Sequence, residues 1–136
     1  MRLLALASLL AACSEVPTKM SYAADPGACL PGMSSTIGIG ISPASEPPPG
    51  VKVRYRWHAS RGNLKTWSEV THESVVFGAD AVTTEGKLYW ACDAAGIAAG
   101  DPVLVTIVTE DAKNGSELVR ADIRIVSDGE KMRVAR

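Results

Sequence analysis

The chain has 136 residues, with 14 Lys and Arg against 15 Asp and Glu, for a formal net charge of -1. That length holds one domain, and the charge balance offers no footprint for nucleic acid and no polybasic case for acidic lipid. A hydrophobic fraction of 46% excludes global disorder, and two His and three Cys are too few for most metal-cluster or multi-disulfide scaffolds, so no cofactor is expected.

Residues 1–12 read as a targeting segment. Met1-Arg2 is a short positive start, and residues 3–10 (LLALASLL) are an apolar run. That run is too short to cross ~30 Å of hydrocarbon as a helix. Leu10-Ala11-Ala12-Cys13 then resembles the lipobox of bacterial lipoproteins. The resemblance implies cleavage before Cys13 and a diacylglycerol on its thiol, which is the nucleophile for lipid transfer. Each buried lipid CH₂ contributes about 0.8 kcal/mol, so two or three chains make a stable anchor. The partner implied is a membrane. Ser14, rather than Asp, after the Cys implies the outer membrane, by similarity to lipoprotein sorting in Gram-negative bacteria.

Residues 13–33 read as a flexible tether. Pro17, Pro26, Gly27, Pro31 and Gly32 punctuate them, and no period is visible. A domain is expected over residues 34–127. In residues 35–42, Ile37, Ile39 and Ile41 alternate with smaller residues, the pattern of a half-buried strand. The proline-rich run 42–50 ends it. Residues 51–58 form the cleanest strand. Val51, Val53, Tyr55 and Trp57 should face the core; Lys52, Arg54, Arg56 and His58 should face water.

Residues 64–67 and 75–77 are shorter candidates, and 87–92 (KLYWAC) is a further one. Residues 103–109 (VLVTIVT) are apolar on both faces, which predicts a central strand. Asn114-Gly115 predicts a tight type I′ hairpin. In the strand 117–126 that follows, Val119, Ala121, Ile123 and Ile125 should face in. Residues 128–136 read as a charged tail.

About seven short strands with regular turn signals predict an all-β, antiparallel β-sandwich. Residues 55–64 (YRWHASRGNL) resemble the Y-x-W-x-A-S-x-G-x-L stretch of bacterial immunoglobulin-like and PKD-like repeats. Leu88-Tyr89-Trp90-Ala91-Cys92 stands where a V-x-W-x-A-P segment follows in those repeats, with Cys in place of Pro. Gly100, Val103, Val105, Ile107, Thr109, Asp111 and Gly115 keep the rhythm of their next hairpin. The resemblance implies an immunoglobulin-like sandwich serving adhesion, spacing or partner binding. Fold alone does not choose among these.

With Cys13 lipidated, Cys29 and Cys92 remain as an even pair in an oxidising compartment, which predicts a disulfide. Its loop gives a chain-entropy stabilisation of about 4 kcal/mol. Trp57 and Trp90 are expected in the core. Trp67 lies in a polar run and is a candidate contact for a glycan or protein partner. Arg54 and Arg56, with Lys52 and Arg61, are candidates for a basic stripe.

His58 and His72 lack the spacing of a metal motif, and Asp111 to Gly115 lacks the spacing of a calcium loop. No nucleophile-base or phosphate-loop motif appears. The function expected is therefore non-enzymatic: a lipid-anchored envelope protein acting as a binding, adhesive or structural module. The alternatives are a carbohydrate- or peptidoglycan-binding lipoprotein using Trp67, and a small envelope enzyme centred on His58 or His72.

Overall fold

The computed structural model describes residues 20–32, 37–94 and 96–135. Cys13, the expected lipidation site, lies outside the described residues. Eleven strands and no helix appear among the described residues. They are β1 (Tyr22–Ala24), β2 (Ala28–Cys29), β3 (Ile39–Pro43), β4 (Val53–Ala59), β5 (Asn63–Lys65), β6 (Val76–Gly78), β7 (Asp80–Thr83), β8 (Leu88–Ala91), β9 (Val103–Asp111), β10 (Glu117–Ser127) and β11 (Met132–Val134).

Two antiparallel sheets result. The first runs β1-β3-β8-β5-β6 and the second β2-β11-β10-β9-β4-β7. They face one another across a single core. Ile39, Ile41, Leu64, Leu88 and Trp90 enter it from the first sheet; Tyr55, Trp57, Val103, Val105, Ile107, Ile123, Ile125 and Met132 enter from the second. This is the β-sandwich expected from the alternation.

The alternation also set the faces of β4 correctly. Tyr55, Trp57 and Ala59 are buried, whereas Arg56 and His58 are exposed. Buried indoles need a partner for their N–H. Trp57 Nε1 donates to Thr83 Oγ1 at 2.9 Å, and Trp90 Nε1 donates to the Arg61 carbonyl at 2.8 Å. Gly62 makes the second arrangement possible. Its φ is 79°, and a Cβ there would lie 2.6 Å from the Trp90 indole nitrogen.

β9 is central, between β10 and β4, as its composition suggested. Its second face is buried only in part: Val108 and Glu110 are buried and Thr106 half-buried, whereas Leu104 is exposed. The β9–β10 connection is also longer than a two-residue I′ turn. Gly115 N–H donates to the Asp111 carbonyl, and Asp111 N–H donates to the Ser116 carbonyl. Gly115 alone takes the left-handed conformation, with φ 76°; Asn114 does not join it. Asp111 Oδ1 accepts from Lys113 N and Asn114 Oδ1 from Ser116 N, so both side chains stabilise the wider loop.

Two segments differ from expectation. Part of the stretch read as tether forms β1 and β2. Met20 and Cys29 are buried, and Tyr22 and Ala24 pack against the core. The proline and glycine that suggested a linker instead turn the chain from one sheet to the other, through a cis Asp25–Pro26 peptide bond. Part of the charged tail forms β11, which joins β10 to β2. Met132 is buried and Val134 packs on the core, while Lys131 and Arg133 point away. Charge density masked a period-2 pattern.

Candidate binding surface

The sandwich is closed along each side by a segment that passes from the first sheet to the second. One is β1–β2. The other is β6–β7, where the chain leaves β5, pairs as β6, and crosses at Gly78-Ala79 to pair with β4 as β7. β6 and β7 are the outermost strands of their sheets on that side.

The β6–β7 side is built from a hairpin that projects beyond the core. Thr66 N–H donates to the Val75 carbonyl, Ser68 N–H to Glu73, and His72 N–H to Ser68. Residues 69–77 are exposed without interruption. They include Val70 at 89% exposure, Val76 at 60%, and also Val75 and Phe77. Val82 of β7 is exposed as well. Three successive apolar side chains at 75–77 therefore stand exposed at a sheet edge, which makes this side the candidate interaction surface.

Charge distinguishes the strip further. Residues 66–86 carry Glu69, Glu73, Asp80 and Glu85, and no Lys or Arg. Residues 51–61 carry Lys52, Arg54, Arg56 and Arg61, and no acid.

The expected basic stripe is only partly a free surface. Arg54 Nε meets Glu110 Oε1 at 2.5 Å and Arg56 Nε meets Oε2 at 3.1 Å. Glu110 ends the outer row of β9 opposite Arg54 and is 3% exposed. The Arg54 hydrogen bond, more than any other influence, holds the Glu110 carboxyl below its usual range. The two guanidiniums roof a carboxylate that sequence reading passed over. Alternation places Glu110 on the solvent side; only the cross-strand register shows what covers it.

Beside this roof a shallow groove of about 520 Å³ runs over the second sheet, lined by Arg56, His58, Asp80, Val82, Val108 and Arg120 among others. His58 Nδ1 lies 2.8 Å from Asp80 Oδ1 across β4 and β7. His72 instead sits in the hairpin tip with its ring 5.9 Å from that of Trp67. The two imidazoles thus have different neighbours. No group of three or more His, Cys, Asp or Glu side chains able to hold a metal occurs among the described residues.

Trp67 is half-buried, and its indole N–H is enclosed with no hydrogen-bond partner. Arg61 is structural: its guanidinium donates to the carbonyls of Ala99 and Asp101. Cys29 and Cys92 are bonded, with Cα atoms 6.5 Å apart.

Sequence reading missed the strip itself. The signal was present as Val75-Val76-Phe77, a β-prone run, but such a run reads equally as a buried strand. No family model, curated protein or solved structure matches the chain.

Proposed function

We propose that this protein is a lipid-anchored envelope protein whose immunoglobulin-like domain acts by binding rather than by catalysis. The observation that carries the reading is the exposed strip over residues 69–77, on a domain whose core is complete without it. Leaving Val75, Val76 and Phe77 in water forgoes burial worth about 25 cal/mol per Å² of apolar surface. A partner that covers them recovers it.

The lipobox-like run ending at Cys13 supports the anchor. Met20 already belongs to the core. The covalent distance from Cys13 to Met20 cannot exceed roughly 25 Å. A lipidated Cys13 therefore holds the domain close to the bilayer, not at the end of a long leash. The immunoglobulin-like assignment is supported by the 55–64 stretch and by two buried tryptophans, Trp57 on β4 of one sheet and Trp90 on β8 of the other, in a common core.

Membrane fractionation and cross-linking of the full chain in its native envelope test both halves. The wild-type chain should stay with membranes through a salt wash, Cys13→Ser should be released, and one partner should cross-link reproducibly. A Cys13→Ser chain that still fractionates with membranes refutes the anchor. The absence of any cross-linked partner refutes the binding role.

A further inference from the structure

From the same exposed strip we infer the class of partner: an extended segment of another protein, alternating apolar and basic residues, that adds as a strand along β6 and β7. This inference rests on the binding role proposed above and names the surface that performs it.

The backbone supplies the first half of the argument. Lys65 pairs with Val76, and Thr66 N–H donates to the Val75 carbonyl. In an antiparallel ladder, hydrogen-bonded and non-hydrogen-bonded pairs alternate. Val75 N–H in turn donates to Thr66 Oγ1, so both backbone groups of Val75 are turned toward Thr66 and, by alternation along the strand, the N–H and C=O of Val76 point away from β5, toward the open side of the sheet. Natural edge strands are usually blunted by Lys, by Pro or by a covering element. Residues 75–78 (VVFG) contain no charge and no Pro. An open ladder flanked by exposed Val75, Val76 and Phe77 is the geometry that strand addition uses: main-chain bonds give affinity, and alternate side chains give selectivity.

Charge then chooses among the possible occupants. A second copy of this chain pairing through the same edge would bring two acidic segments together, with no Lys or Arg between 66 and 86 to offset them, which opposes association. An anionic bilayer is opposed for the same reason. A strand bearing Lys or Arg between its apolar residues meets both demands. Its apolar side chains cover the valines and Phe77, and its cations face Glu69, Glu73 and Glu85, while Asp80 is already engaged by His58.

The test uses the full chain in mild detergent and two blocked octapeptides, one of alternating lysine and valine and one of alternating glutamate and valine. Binding is read by calorimetry, and the contact surface by amide chemical-shift changes. The expected result is saturable binding of the Lys-Val peptide only, weakened at high salt, with shifts centred on residues 75–83. Val76→Pro removes the open N–H and should weaken binding about tenfold or more. The double variant Glu69→Lys/Glu73→Lys, at exposed turn positions, should do likewise while leaving the melting temperature unchanged.

Equal binding of both peptides overturns the inference. So does Lys-Val binding that neither variant reduces, or concentration-dependent dimers bridged through β6. The cross-linking experiment separates the two levels. A partner captured equally by wild type and by both variants refutes this edge but leaves the binding role standing; no partner in any chain refutes the role itself.

Discussion

The two sides of the sandwich are closed by the same device, a chain that leaves one sheet and joins the other, yet they are finished differently. The β1–β2 side is sealed. Met20 and Cys29 are buried there, and the Tyr22 hydroxyl bonds Thr109. The Cys29–Cys92 bond holds it, as do backbone bonds from Asp25 to Gly40, from Gly32 to Cys92 and from Val134 to Gly27. The β6–β7 side is held by its ladder pairs and by the Ala59 to Ala79 bond, and its valines face water. The difference is one of burial. One side contributes its apolar groups to the core; the other leaves them exposed.

The largest effect should come from the core that both sides share. Trp57→Ala should cost about 3–5 kcal/mol in denaturant melts, enough to unfold a marginal domain. A mild loss would mean that the sheets do not meet across Trp57. Opening the sealed side should come next. Cys29→Ser with Cys92→Ser should cost about 2–4 kcal/mol, seen as a lower midpoint in thermal melts. A double mutant as stable as wild type would erase the contrast between the sides.

The Arg54–Glu110–Arg56 cluster should give a pH signature between these extremes. The Glu110 carboxyl is held below its usual value in the folded chain, so the unfolded chain binds its proton more readily. Its contribution is present above the unfolded value of about 4.5 and is lost as pH falls through the lower folded value. Acid melts of wild type and Glu110→Gln should therefore diverge above that range and converge below it. Parallel curves throughout would show that the cluster adds nothing.

The smallest effect belongs to the open side. Val76→Ser and Val75→Ser should each stay within about 0.5 kcal/mol of wild type in chemical melts, because both side chains are mostly exposed and lose little buried area. A loss comparable to that of Trp57→Ala would mean the strip is part of the core.

The legible parts of this fold share one property: their alternation aligns apolar residues with the buried face. β3, β4, β8 and β10 were readable for that reason. β7 was not, because its apolar Val82 faces out while only the small Ala81 is buried. β1 and β2 were hidden by short length and by the proline and glycine of their crossing. In β11 the two outward cations drew attention from inward Met132 and Val134. Arg54 and Arg56 were placed on the correct face, but Glu110, 56 residues beyond Arg54, was not seen beneath them.

Sequence by itself determined the all-β class, the inward face of β4 and β10, and the core placement of Trp57 and Trp90. These follow from local periodicity and residue chemistry, which act over a few residues. The bond between Cys29 and Cys92, which the sequence offered only if Cys13 is set aside for lipid, is decided by the fold. Tertiary structure decided which strands lie at the edges, which cations roof Glu110, and that Val75, Val76 and Phe77 stay in water. Those depend on strand order and cross-strand register. A β-prone run looks the same whether its free side meets a neighbouring strand or solvent, and only the assembled sheets decide which.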